Sequence, residues 1–155
     1  MFRRLIDVGQ ELNPPVMFDY RGDISSTLTS HRLLHWARTK GSKQQHALIE
    51  YIFKAYFVET KDQGRADVLL GAVDSANAIL GTDEQLSREE AAGVIESDQF
   101  EAITKQTAQQ YKNGFGISGV PFFTFQNTSG KVVQTESGAV PTPTLVEAFD
   151  RALFG

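Results

Sequence analysis

The chain has 155 residues, 41% of them hydrophobic and 22% charged, with a formal net charge of -4. That is the size and balance of one globular domain, not of a disordered or fibrous chain, and an acidic surface argues against a nucleic-acid partner. Cysteine is absent, so no disulfide, thiolate nucleophile or Cys-ligated zinc can be built from these residues alone.

Met1-Phe2-Arg3-Arg4-Leu5 is not followed by the apolar run of a signal peptide. The most apolar stretch, Ala47 to Val58, is broken by Glu50 and Lys54 and is too short for a bilayer. The expectation is a soluble, cytoplasmic protein with no membrane partner. In chain order, Phe2, Leu5, Ile6 and Leu12 predict a first helix over residues 2–12, stopped by Pro14-Pro15. Val16 to Tyr20 is a short strand or extended segment. Ser25, Ser26 and Thr27 are candidate N-caps for a second helix that ends at Gly41, with Leu33, Trp36 and Ala37 on one face.

The third helix, residues 42–58, spreads Leu48, Ile49, Ile52, Phe53, Tyr56 and Phe57 over a wide arc, which predicts burial against more than one neighbour. A fourth covers residues 65–80 and is stopped by Gly81. Thr82-Asp83-Glu84-Gln85 and Ser87-Arg88-Glu89-Glu90 each fit a capping box, and one of them should open a short helix near 84–94. A longer polar helix follows to about Lys112. The period then becomes extended. Val120 to Phe125 and Lys131 to Thr135 predict a hairpin around Asn127-Thr128-Ser129-Gly130. Thr142 and Pro143 look like the N-cap and N1 of a last helix.

Three stretches are similar to a known family. Ser26-Thr27-Leu28-Thr29-Ser30-His31-Arg32-Leu33 resembles an Asn-Thr-x-x-Ala-His-Arg-Leu pattern, with Ser26 for Asn and Ser30 for Ala. Ile52-Phe53-Lys54-Ala55-Tyr56-Phe57 resembles Leu-Phe-x-Ala-Tyr-Phe. Gly116-Ile117-Ser118-Gly119-Val120-Pro121-Phe122-Phe123, then Ser137-Gly138-Ala139-Val140-Pro141, match Gly-Ile-x-Gly-Val-Pro-x-Phe and Ser-Gly-Ala-x-Pro. Their order resembles the FrnE-like branch of the DsbA-type thioredoxin-fold oxidoreductases, relatives of hydroxychromene-carboxylate isomerases and kappa-class glutathione transferases.

The resemblance implies an α+β, mostly helical, thioredoxin-like fold with a helical insertion. The whole chain, 1–155, is one domain on that reading: 1–113 is mainly the helical insert and 114–155 the C-terminal ββα part. The N-terminal βαβ unit, where the family keeps its Cys-x-x-Cys, is missing. Gly119, Val120 and Pro121 would be the cis-proline loop, whose outward N–H and C=O pair with an extended peptide or with glutathione as an added strand; the structural alternative is a proline that starts an edge strand. Thiol–disulfide exchange needs a thiolate, so no residue is assigned as catalytic. Three readings follow: a family member separated from its redox unit, a non-catalytic binding or assembly module, or a glutathione-dependent isomerase or transferase. An open hairpin edge would favour a homo-oligomer that covers it.

Other candidates have a structural alternative. His31 and His35 stand at i, i+4, a chelating spacing, but only His46 remains as a further histidine and packing at a helix interface is the better reading. No metal site and no cofactor beyond glutathione is expected. His31-Arg32 should order the loop before its helix. Gly114-x-Gly116-x-x-Gly119 has the dinucleotide-binding spacing but follows a helix and opens a strand, the wrong context. Glu89, Glu90 and Asp98 suit helix starts. Phe18, Tyr20, Trp36, Tyr51 and Tyr56 are core aromatics sooner than a pocket.

Overall fold

The computed structural model describes residues 2–114, 116, 117 and 119–155. Met1, Phe115 and Ser118, the last within the Gly-Ile-Ser-Gly-Val-Pro motif, lie outside them. Seven α-helices and a two-stranded antiparallel sheet are described: α1 (Phe2–Glu11), α2 (Leu28–Lys40), α3 (Ser42–Phe57), α4 (Ala66–Asn77), α5 (Arg88–Glu96), α6 (Glu101–Gly114), β1 (Phe122–Gln126), β2 (Val132–Ser137) and α7 (Thr142–Phe154). This is a mostly helical α+β fold. The chain forms two compact units, Met1–Lys105 and Gln106–Gly155.

In the first unit the core lies among α2, α3, α4 and α5. Leu69, Ala72, Val73 and Ala76 recur at i, i+3, i+4, i+7 on α4, so one stripe of that helix is dry. Leu33 and Trp36 of α2, Leu48 and Ile52 of α3, and Ala91 and Val94 of α5 close over it. The wide arc of α3 serves two neighbours. Leu48, Ile52 and Ala55 are buried, while Phe53 and Phe57 join a ring cluster with Phe18 and Tyr20.

Several boundaries differ from the sequence expectation for identifiable reasons. Val16 to Tyr20 is the extended segment of the two expected alternatives and pairs with no strand among the described residues; Asp19 N–H donates to the Phe57 carbonyl at 2.7 Å and Val16 N–H to that of Gly9 at 2.8 Å. The segment comes so close to α1 that a Cβ on Gly9 would lie 2.4 Å from the Val16 carbonyl oxygen. On α1 Ile6 is partly covered, and Leu5 and Leu12 are exposed. Thr82 is not an N-cap but the first residue of a single 3-10 turn, Thr82–Glu84, whose N-cap is Gly81, with the Gly81 N–H donating to Glu84 Oε2 at 3.3 Å. Ser87 does cap α5, accepting Glu90 N–H at 3.2 Å, but Glu90 turns away from the reciprocal bond. Pro141, not Thr142, is the N-cap residue of α7.

In the second unit, β1 and β2 pair from Phe122↔Ser137 to Gln126↔Val132, with a register shift between Phe125 and Gln126. Both strands lie one or two residues later than the periodicity suggests. Asn127 Oδ1 accepts the N–H groups of Ser129 and Lys131 and so builds the loop. Phe125, Ala148 and Ala152 form a small core with Phe123, Val133 and Leu145 around them.

Candidate functional site

The loop that leads into β1 is the first candidate. Gly119 and Val120 form a bend, and the Val120–Pro121 peptide bond is cis. Pro121 precedes β1 and its carbonyl accepts the Gly138 N–H at 2.8 Å. Gly138 has φ 84°, a left-handed conformation that suits glycine. Two motifs that are far apart in sequence, Gly-Val-Pro and Ser-Gly-Ala, therefore meet where the hairpin ladder ends at Phe122↔Ser137.

The Val120 side chain is 89% exposed. Among the described residues its backbone N–H donates, and its C=O accepts, no hydrogen bond. A valine with unpaired peptide groups beside a strand start offers the donor and acceptor that an extended chain needs to add itself to a sheet edge. Gly119, Val120 and Pro121 carry no side chain that can take part in proton or electron transfer.

The histidines do not converge on a metal. No group of three His, Cys, Asp or Glu residues able to hold an ion occurs among the described residues. His46 lies 4.0 Å from Glu50 on its own helix. Desolvation and then the neighbouring His35 hold the His31 pKa below its ordinary value of 6.5.

Arg32 behaves differently from its expected role. It does not order the loop ahead of α2; its guanidinium donates to the carbonyls of Ser97, of Gln99 at 3.3 Å and of Ile95 at 3.2 Å. Those carbonyls form the C-terminal end of α5 and the turn beyond it, where the helix dipole favours a cation. Arg32 is only 4% exposed, so this is a buried charge satisfied by backbone oxygens. The sequence signal was an arginine set directly against Leu33, Leu34 and Trp36.

Glu90 also acts structurally. It accepts Trp36 Nε1–H at 3.3 Å and pairs with Lys40 at 2.5 Å, and the Lys40 and Trp36 hydrogen bonds lower its pKa. Asp98 offers its carbonyl to Glu101 N–H at the start of α6, and Glu89 is exposed on α5. Gly114 is the last residue of α6, so the glycine-spaced motif begins at a helix end.

The five aromatics separate. Trp36 is in the core, and Tyr51 packs against that core with Lys54 Nζ 5.9 Å from its ring. Phe18, Tyr20 and Tyr56 surround Phe57, with centroids 4.8–6.3 Å away. Phe57, which the sequence places on the wide arc of α3 but not among the five aromatics, is the centre of these three rings. An open groove of about 680 Å³ runs beside this cluster, lined by Ile6, Met17, Phe18, Asp19, Tyr20, Arg21 and Val58. At its rim Asp19 is held at a pKa of about 2, first by the Arg21 side chain and then by the Arg21 N–H.

A family model of the DSBA-like thioredoxin domain matches residues 1–150. No curated protein and no solved structure matches the chain. No described helix is long and apolar enough to cross a membrane.

Proposed function

The chain belongs to the DSBA-like thioredoxin-domain family, and we propose that it is a FrnE-like member that binds extended peptide or glutathione backbone at Gly119-Val120-Pro121 without redox chemistry of its own. On this reading residues 1–113 correspond to the helical insert and 114–155 to the closing ββα part. The βαβ unit that carries the family's thiols is outside these residues. One observation carries the binding site: Val120 presents unpaired peptide groups in an exposed bend directly before β1.

Thiol–disulfide exchange begins with a thiolate, and no cysteine is present. Main-chain pairing would supply affinity, and the side chains on either side of Val120 would supply a modest preference. The ligand's sulfur, if it has one, would remain unreacted.

Calorimetry tests this directly. Reduced glutathione and a short extended peptide should each give saturable heat with the full chain. Val120→Ala keeps the backbone donor and should bind as well, whereas Val120→Pro removes the N–H and should lose binding by about tenfold or more, the scale of one lost hydrogen bond. Insulin reduction should not exceed the uncatalysed rate. No heat with either ligand overturns the reading, and glutathione-dependent turnover would replace it with the transferase alternative.

A further inference from the structure

Two helices carry apolar stripes that stay largely open, although the Phe149 ring meets Phe125 edge-on at a centroid distance of 5.2 Å. On α7, Val146, Phe149 and Leu153 follow i, i+3, i+7; on the α1 segment, Leu5, Val8 and Leu12 repeat that spacing, and each of the six is 40–62% exposed. Leu12 lies one residue past α1 but stays in its turn, its N–H donating to Gly9 at 3.3 Å. The adjoining side of α7, one residue round the helix, is already used, since Ala148 and Ala152 pack with Phe125. The exposed stripe widens that apolar surface beyond the part that the hairpin covers. Faces of this kind on one chain mark an interaction surface.

We infer that α7 of one copy of this chain docks, in parallel, on α1 of a second copy. Written as a heptad, Leu5 and Val146 are a, Val8 and Phe149 are d, and Leu12 and Leu153 are a again. Arg4 then falls at g on α1 and Asp150 at e on α7. In a parallel pair a g residue faces the e residue of the following heptad on its partner, so Arg4 meets Asp150. The remaining g acid, Glu11, faces a position beyond the end of α7, and no like charges are opposed. In the antiparallel alternative flanks of the same kind meet, and Arg4 and Asp150 are kept apart.

The two charges are available for this pairing. Arg4 and Asp150 are exposed, and neither forms an ion pair among the described residues. Arg151, the neighbouring base, is turned to Gln134 instead, with Nη1 donating at 3.2 Å. A second copy is the occupant that supplies both the matching stripe and the opposite charge. This contact does not involve the loop at residues 119–121.

Sedimentation velocity of the full chain over a concentration series tests it. The wild type should rise from one chain to a multiple of that mass. Arg4→Asp and Asp150→Arg should each weaken assembly by about tenfold, and the Arg4→Asp/Asp150→Arg double variant should regain it, because the pair is restored with its sign reversed. Both positions are exposed, and circular dichroism should report the same helix content in all four proteins. A single-chain mass at every concentration overturns the inference. So does an assembly that neither single reversal weakens, or one that the double reversal fails to recover.

Discussion

At the scale of single residues, Arg32 contributes most to the structure. Its guanidinium replaces water on three carbonyls at the end of α5, and methionine there would leave those oxygens dry and unpaired. Arg32→Met should cost about 3 kcal/mol in urea unfolding. Arg32→Lys should recover only part of that loss, because an ammonium is not a planar fork. His31 sets a pH dependence. Its pKa is lowered from 6.5 in the folded chain, so between those two values the unfolded state binds more protons than the folded state. Stability should therefore fall as pH drops through 6.5, until the lowered folded value is passed. Urea midpoints at pH 7.5 and 5.5 check this, and the drop should shrink in His31→Gln. What the sequence revealed at this scale was residue type. That Arg32 lies under the end of α5, more than sixty positions away, could not be read from spacing, since no local periodicity encodes a tertiary cap.

At the scale of elements, the clearest fastening joins α4 to α5. Asn77 Nδ2 donates to the Leu86 carbonyl at 2.8 Å, and Leu86 N–H returns to Asn77 Oδ1 at 2.7 Å. Leu86 is buried, so Asn77→Ala strands both peptide groups and should cost about 2 kcal/mol by chemical denaturation, against about 1 kcal/mol for loss of the exposed Ser87 cap in Ser87→Ala. A reversed ranking would show that the side-chain clamp is not what holds this connection. Helix existence was readable because α3 and α4 carry strong 3.6-residue patterns. Positions that depend on competition between neighbouring caps were not. Gly81 displaced Thr82, and Pro141 displaced Thr142, because side-chain type suggests several N-caps and packing selects one. The apolar residues of Val16 to Tyr20 left strand and extended segment both open; it is extended, and its partners are the end of α3 and Gly9 of α1.

At the scale of the whole molecule, the motifs gave the family before any contact was known. They lie on α2, on α3 and across the hairpin loop, and the family match spans residues 1–150. The meeting of Pro121 with Gly138 was not readable, because it depends on the hairpin register that brings Phe122 opposite Ser137. The absence of cysteine was plain at once and limits the chemistry most. The role proposed for this loop is binding at Val120. Amide chemical shifts during titration of the full, isotope-labelled chain with a short extended peptide examine that claim most directly. Saturable changes centred on Gly119, Val120 and Gly138, and lost in Val120→Pro, are the predicted result. Unmoved amides at those positions, or changes centred on Phe18 and Tyr20 instead, would contradict it.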